Sequence, residues 1–347
     1  MKQYSVVRPD DFHCHLRDGE MFAKVLPYSN LFGKVVIMGN LIPPIITGKQ
    51  ACDYKNLIKE HGAKFEPIMS IMLVNETTPK MIYDAFECGV KVLKLIPGGV
   101  STGSCQGVAL KNLHNYYHIL KIVEDCGMIF SGHWELVSDP SDGGVICEYD
   151  RESRAIPYLC EIVDRFPNLQ IVVEHISTAA MVNFVLNTPK NVVATVTAHH
   201  LGPFQYKDVI DSFKIKNPYL YCKPVLKYST DIEVLRDVVL SGNPKFFFGS
   251  DSAPHLIESK RQNVPSAGIF SAPVAIPFLF QIFTESGSKN VLDDFGNFVS
   301  NFGSSFYGLP KNDDTITIIR KEWEVPSMYD GIVPFMARRR LSYKILS

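Results

Sequence analysis

The segment Asp11-Phe12-His13-Cys14-His15-Leu16-Arg17-Asp18 places two histidines two residues apart. On an extended backbone, residues i and i+2 project to the same face, so His13 and His15 can bind one metal ion from a single strand end while Cys14 points away. His133 closes the run Met128-Ile129-Phe130-Ser131-Gly132, and His175 closes Gln170-Ile171-Val172-Val173-Glu174. Phe246-Phe247-Phe248-Gly249-Ser250-Asp251-Ser252-Ala253-Pro254-His255 delivers an aspartate and a histidine after a further apolar run. In Val90-Lys91-Val92-Leu93-Lys94-Leu95-Ile96, alternation puts Lys94 on the face of Val90, Val92 and Ile96. A lysine facing a buried interior is costly unless it is paired or neutralised.

Each of these residues has a bland reading by itself. H-x-H is also two polar residues in a turn, and Lys94 is also a snorkelling strand-end lysine. His133 and His175 are also structural histidines, and Asp251 is also a helix start. Together they have a different meaning. A neutral Lys94 amine can take up CO₂ to give a carbamate, a carboxylate-like bridge between cations. Four histidines, an aspartate and that bridge suit two divalent ions of the zinc type about 3.5–4 Å apart. Such a pair generates hydroxide at neutral pH and polarises an amide carbonyl, with Asp251 as ligand and proton carrier. Glu135 is a competing bridge because it shares the His133 face if extended, whereas Glu174 is expected to face opposite His175.

These residues converge only if the elements that carry them end on one rim. Strand-like runs occur at 4–7 (leading toward His13), 34–38, 68–74, 90–96, 128–132, 170–174, 192–197 and 245–249. Helix-like stretches intervene at 47–61, 78–88, 113–126, 153–165, 178–186 and 231–240. Eight apolar strands alternating with helices predict a parallel sheet covered on both faces and closed as a (β/α)₈ TIM barrel. An open doubly wound sheet is the main rival. Seven of ten histidines, namely His13, His15, His133, His175, His199, His200 and His255, fall at or just beyond strand ends, where a barrel gathers them. The prediction is one domain over 1–347, with the barrel at about 4–265 and a helical and irregular extension at about 266–347. The basic cluster Arg338-Arg339-Arg340 in the extension is read as surface.

Lys plus Arg number 35 and Asp plus Glu 36, so the formal charge is 35 − 36 = −1. That balance argues against a nucleic-acid or anionic-membrane partner. A hydrophobic fraction of 46% supports a large core. The most apolar stretch, 272–283, carries two prolines and a glutamine and is too short to span a bilayer. Acids and histidines within the first fifteen residues make a secretory signal unexpected. Eight cysteines without a C-x-x-C pair predict free thiols and a cytoplasmic location.

The ordered set of H-x-H after strand one, lysine on strand four, single histidines after strands five and six and aspartate after strand eight resembles the amidohydrolase superfamily. The wording of 8–18 and 249–255 is similar to the dihydroorotase family of the short, bacterial-type class. The likeness runs from about Arg8 to Gly308-Leu309-Pro310 and includes Asn40-Leu41-Ile42-Pro43-Pro44, Glu174-His175-Ile176 and 221–227. The resemblance implies reversible cyclisation of N-carbamoyl-L-aspartate to L-dihydroorotate in pyrimidine synthesis. It implies one zinc on His13 and His15, a second on His133 and His175, N6-carboxylysine at Lys94 as bridge, and Asp251 as ligand and general acid/base. It assigns the substrate carboxylate to Arg17, Asn40 and His255, with backbone groups near Lys223 and Ala267. A guanidinium two residues beyond His15 suits a bidentate carboxylate contact. The expected partner is this small-molecule substrate, and the expected assembly is a homodimer.

The chain departs from the family pattern at Gly39, Trp134 and Lys223, where proline, glycine and leucine are usual. None of these removes a ligand. Competing functions are another cyclic-amide hydrolase, of dihydropyrimidinase or allantoinase type, and a non-catalytic barrel. The first has less need of Arg17 and His255, and the second would be expected to have lost ligands. The stretch 97–108 holds four glycines in twelve residues and is read as a lid, with the Ser101 and Thr102 hydroxyls donating to substrate.

Overall fold

A computed structural model of the chain describes residues 2–100, 105–212 and 214–346. Ser101 and Thr102 therefore lie outside the described residues. The strands are β1 (Gln3–Val7), β2 (Asp11–Cys14), β3 (Lys34–Ile37), β4 (Glu66–Met72), β5 (Val92–Leu95), β6 (Ile129–Gly132), β7 (Gln170–Val173), β8 (Val192–Val196), β9 (Ile210–Asp211), β10 (Lys214–Ile215), β11 (Phe246–Phe248), β12 (Thr315–Glu324) and β13 (Arg340–Ile345). Eight of them form one parallel sheet in the order β11-β8-β7-β6-β5-β4-β3-β2. The sheet closes on itself just beyond β2 and β11, where Cys14 bridges Ser252, the Asp251 N–H donates to the His13 carbonyl at 2.9 Å, and the His15 N–H donates to Ser252 at 3.2 Å.

Alternation along the strands explains the interior. Each barrel strand sends one apolar residue to a lower layer: Phe12, Val36, Ile68, Val92, Ile129, Val172, Val193 and Phe247. Tyr307 packs on this layer from below, its ring 5.1 Å from that of Phe12. Two residues further along, the same face carries Lys94, Ser131, Glu174 and Thr195, all buried. The barrel thus changes from apolar to polar within one step of the pleat. On β2 the step is modified. Asp11 pairs with Val35 and Cys14 with Ile37, three residues against two, and this bulge turns His13 and His15 inward although Phe12 also points in.

Helices Gly48–Glu60, Pro79–Glu87, Tyr117–Asp125, Arg151–Arg165, Ala179–Leu186 and Ser229–Leu240 alternate with the strands, within two residues of the expected bounds except at the start of Tyr117–Asp125, where a 3₁₀ turn at Leu110–Tyr116 precedes the helix. Thr47, Thr78 and Thr178 start three of them by accepting an N–H of the first turn, so the turn from strand to helix is fixed locally.

Two expectations change. The segment 4–7 is not the first barrel strand; Pro9 interrupts the run, the barrel strand begins at Asp11, and β1 pairs antiparallel with β12 outside the barrel. The extension holds the helix Ala275–Glu285 and a run of short helical segments between 291 and 306, and adds the strands β12 and β13, which form an antiparallel sheet with β1. It is pinned to the barrel floor by Asp10. That carboxylate accepts from the Lys34 N–H at 2.8 Å, from Ser300 and Ser304 hydroxyls at 2.9 Å each, and from Asn312 Nδ2 at 2.8 Å. No helix of the described residues is long and apolar enough to cross a membrane.

Candidate active site

One pocket at the rim is lined by His13, His15, Arg17, Asn40, Lys94, His133, His175, Lys223, Asp251 and Ala267, together with Ile96 and Ala253. His255 lies beside it with Arg17 and Asn40. All the described site residues predicted from sequence are therefore brought together. The rim owes part of its geometry to unusual backbone. Arg17, His175 and Asp251 have φ of 63°, 41° and 40°, in the left-handed region that non-glycine residues avoid.

Three donor atoms meet on one side. His13 Nε2 is 3.2 Å from His15 Nε2 and 3.3 Å from Asp251 Oδ1, and His15 Nε2 is 3.1 Å from Asp251 Oδ1. A tetrahedral ion with bonds near 2.0 Å has ligand-to-ligand edges of about 3.3 Å, so this triangle fits one. The tautomer agrees. His13 Nδ1 is 2.8 Å from Glu174 Oε2, a carboxylate that can only accept, which leaves the Nε2 lone pair free. Across the pocket, His133 Nε2 is 2.6 Å from Glu135 Oε2, so Nδ1 carries the lone pair and faces His175 Nε2 at 3.1 Å. That contact needs a proton or a cation between the two nitrogens. Burial, reinforced by His133, holds His175 well below its ordinary pKa, and burial pushes His15 down to about 4. At neutral pH both are therefore lone-pair donors.

Lys94 is about 1% exposed, with Nζ 3.4 Å from Ser131 Oγ and 3.6 Å from Glu174 Oε1. Burial lowers its pKa against the opposing pull of Glu174, which favours the neutral amine. Burial also opposes ionisation of Asp251, but His13 and the hydrogen bond from His15 outweigh it and hold the carboxyl well below its usual range.

Sequence reasoning misplaced two acids. Glu174 does not face away from the site. It follows Val172 in the inward alternation, and the left-handed turn at His175 then brings the next side chain inward too. Its oxygens take His13 Nδ1, Thr195 Oγ1 at 2.6 Å and the Ser131 hydroxyl. The alternation from Val172 was the signal that marks it. Glu135 holds His133 from behind and does not line the pocket. Trp134 turns outward onto Gly132, where any Cβ would overlap the indole, so this departure is absorbed in the outer layer. Lys223 lines the pocket with its ammonium 3.2 Å from Glu148 Oε1.

On the opposite wall, Arg17 donates Nε to the Pro254 carbonyl at 3.2 Å, and Nη2 lies 3.1 Å from His255 Nε2. The same His255 nitrogen is 3.0 Å from the Ala267 carbonyl. One nitrogen cannot accept from Arg17 and donate to Ala267 at once, so an anion that takes over the guanidinium frees it to donate. Burial, then Arg17, lowers His255 to about 2, so the ring is neutral and the wall carries one fixed positive charge.

No family model matches the chain. Among curated proteins it is 41% identical to a dihydroorotase of Coxiella burnetii, over all of this chain and 99% of that one, and 38% identical to a dihydroorotase of Marinomonas sp., over 99% and 100%. The crystal structure of a dihydroorotase in complex with 5-fluoroorotic acid from Saccharomyces cerevisiae superposes with a TM-score of 0.91 at 32% identity, covering 100% of this chain and 99% of that one. An L-hydantoinase of Arthrobacter aurescens shares the fold, with a TM-score of 0.81 at 14% identity over 99% of this chain and 83% of its own. Full-length identity at this level, on a barrel whose rim gathers the histidines, lysine and aspartate described above, establishes that the chain belongs to the dihydroorotase family of cyclic-amide hydrolases.

Proposed function

We propose that the protein interconverts N-carbamoyl-L-aspartate and L-dihydroorotate at this rim, with two zinc ions and a carbamate on Lys94. The observation that carries the reading is an anion-binding wall of Arg17 and His255 directly beside the triangle of His13, His15 and Asp251. A neutral cyclic amide has no use for that wall; a ring bearing a carboxylate does.

His13, His15 and Asp251 would hold one ion, His133 and His175 the other, and carbamylated Lys94 would join them. Bound there, the pair supplies a hydroxide nucleophile at neutral pH and a polarised amide carbonyl. The residues of this chain do the rest. Arg17 pairs with the ring carboxylate, His255 donates through Nε2, and Asn40 and the backbone at Lys223 and Ala267 complete the seat. In the hydrolytic direction Asp251 takes the proton of the attacking water, the carbonyl carbon gains the oxygen, and the ring C–N bond breaks. Asp251 then returns the proton to the departing nitrogen. Cyclisation reverses each step and releases water. Glu174 and Glu135 keep His13 and His133 in the tautomers that point lone pairs into the site.

The reading includes a cytoplasmic homodimer, checked by the mass of the particle in solution. The deciding experiment is an ultraviolet assay on dihydroorotate with metal analysis of the same sample. Turnover with about two zinc ions per chain supports the proposal, and full activity with one or fewer overturns the two-metal site. Arg17→Ala should weaken binding of dihydroorotate far more than of a neutral cyclic amide; equal losses would assign Arg17 to the fold.

A further inference from the structure

Away from the rim pocket, the turn after β8 and the loop before the helix Ser229–Leu240 bring a second set of donor atoms together. His199, His200 and Cys222 each offer one, all within 4.8 Å of one another, and all three residues are buried. His199 is fully buried, and neither ring nitrogen has a hydrogen-bond partner among the described residues. A neutral imidazole without partners leaves both a donor and an acceptor unpaired, an arrangement that costs more than almost any buried polar group is allowed.

His200 is differently placed. Its Nε2 lies 3.0 Å from the Pro224 carbonyl, which can only accept, so Nε2 bears the proton and Nδ1 the lone pair. A backbone carbonyl on the far nitrogen is the usual support of a metal-binding histidine. Nδ1 also lies 2.8 Å from Thr197 Oγ1, a hydroxyl that can rotate away. Among the described residues, Cys222 Sγ has only the Pro224 carbonyl at 3.2 Å, a weak thiol donor contact. The Phe335 ring, fully buried and centred 6.3 Å from His199, covers the group from the extension.

We infer that His199, His200 and Cys222 form a second cation site, built for a thiophilic d¹⁰ ion of the Zn²⁺ or Cu⁺ type. Two imidazoles and one thiolate match the ligand preference of these ions and not that of magnesium or calcium. Occupied tetrahedral sites have edges of about 3.3–3.7 Å, so the three donors close by roughly 1 Å on binding. The Cys222 thiol gives up its proton to solvent as the S–metal bond forms. The ion would tie the turn after β8 to the segment Tyr221–Pro224, whose Lys223 lines the rim pocket. It neither uses nor depends on the rim ligands.

Cobalt provides the test, because a thiolate bound to Co²⁺ gives a near-ultraviolet charge-transfer band and none of the proposed rim ligands is a cysteine. Added to the purified protein, Co²⁺ should raise that band to saturation at one ion per chain. The band should survive serine at Cys52, Cys88, Cys105, Cys126, Cys147 and Cys160, vanish in Cys222→Ser and shrink at least several-fold in His199→Gln. No band in the wild type, or a band unchanged in Cys222→Ser, overturns the inference. Anomalous diffraction from cobalt-soaked wild-type crystals gives the same answer without a substitution: a peak between His199 and Cys222 supports the site, and water or nothing there refutes it. The cobalt band and the anomalous peak are read without dihydroorotate turnover, so failure here and failure of the proposed activity are separable.

Discussion

The floor and the rim of the same barrel both bury charged groups, yet they treat them in opposite ways. At the floor, Asp10 accepts from Lys34, Ser300, Ser304 and Asn312, and Phe12, Phe247 and Tyr307 belong to the apolar layer of the barrel, where the Tyr307 hydroxyl is the one buried side-chain polar atom without a partner among the described residues. At the rim, Asp11 Oδ2, Glu135 Oε1 and His175 Nδ1 are buried without partners among the described residues, His133 Nδ1 meets His175 Nε2 at 3.1 Å, and three residues hold left-handed backbone. A satisfied network rigidifies a fold, whereas an unsatisfied one is a cost that persists only where a ligand relieves it. The barrel thus keeps its stability at one end and its chemistry at the other.

The most severe break in this division should come from Asp251→Asn. The amide keeps the shape but cannot carry the proton and binds a cation poorly. Turnover of dihydroorotate should fall beyond the roughly 10²–10⁴-fold typical of acid/base loss alone. The thermal midpoint of the metal-free protein at neutral pH should fall by less than the turnover does, since the folded state holds this carboxyl ionised against His13 and His15 and the amide gives up that charge. A large loss of stability with normal specific activity would place Asp251 with the floor.

Asp10→Ala should do the reverse. Removing one partner of a buried charged cluster costs about 3–5 kcal/mol, and it releases the extension through Ser300, Ser304 and Asn312. Denaturant unfolding should show that loss while turnover per folded molecule is unchanged. Turnover that falls in proportion would show the two ends to be coupled.

How much of this was legible in the sequence follows the same division. Interior alternation from Val92 to Lys94 is local, so the buried lysine could be read directly. The spacing of H-x-H puts His13 and His15 on one face, and both do line the pocket, but the bulge that turns them inward beside Phe12 is visible only in the pairing of β2 with β3. Glu174 was misplaced because one left-handed residue, His175, suspends the period-two rule at the point where it was applied. The sheet of β1, β12 and β13 was not foreseen, since it pairs Tyr4 with Ile318, a contact no local pattern records. Rim and extension were harder to read than strands for one reason: their geometry is set by long-range closure.

Two glycines sharpen the contrast at smaller cost. A Cβ at Gly303 would overlap the Phe12 ring at the floor, and a Cβ at Gly249 would come within 2.9 Å of His13 Cβ and 3.0 Å of Thr195 Cβ near the rim. Overpacking of this kind costs about 1–3 kcal/mol. Gly303→Ala should spend it on unfolding free energy alone. Gly249→Ala should also push His13 off its position, with turnover and zinc retention falling together. Identical profiles for the two variants would mean that the layers are not mechanically separate.

The finest test is Glu174→Gln, because Glu174 belongs to the rim by position and to the floor by its satisfied bonds. Burial alone would raise its pKa, but Lys94 and His13 overcome it and bring the carboxyl down to about 2. An acid lowered from 4.5 binds fewer protons folded than unfolded. Its contribution to stability is therefore full above about pH 4.5 and is lost as the pH falls toward 2. The metal-free wild type should show that acid limb, and the glutamine variant should lack part of it. If Glu174 acts on chemistry through His13, the variant should also lose about 10–100-fold in zinc affinity or activity, with kcat recovering in excess zinc and KM for dihydroorotate unmoved. A glutamine can turn its carbonyl to His13 Nδ1 and keep the hydrogen bond, so what it removes is the charge that fixes the tautomer. Loss of the acid limb without any change in zinc affinity would make Glu174 a structural acid that happens to touch a ligand, and the boundary between the two ends of the barrel would then lie above it.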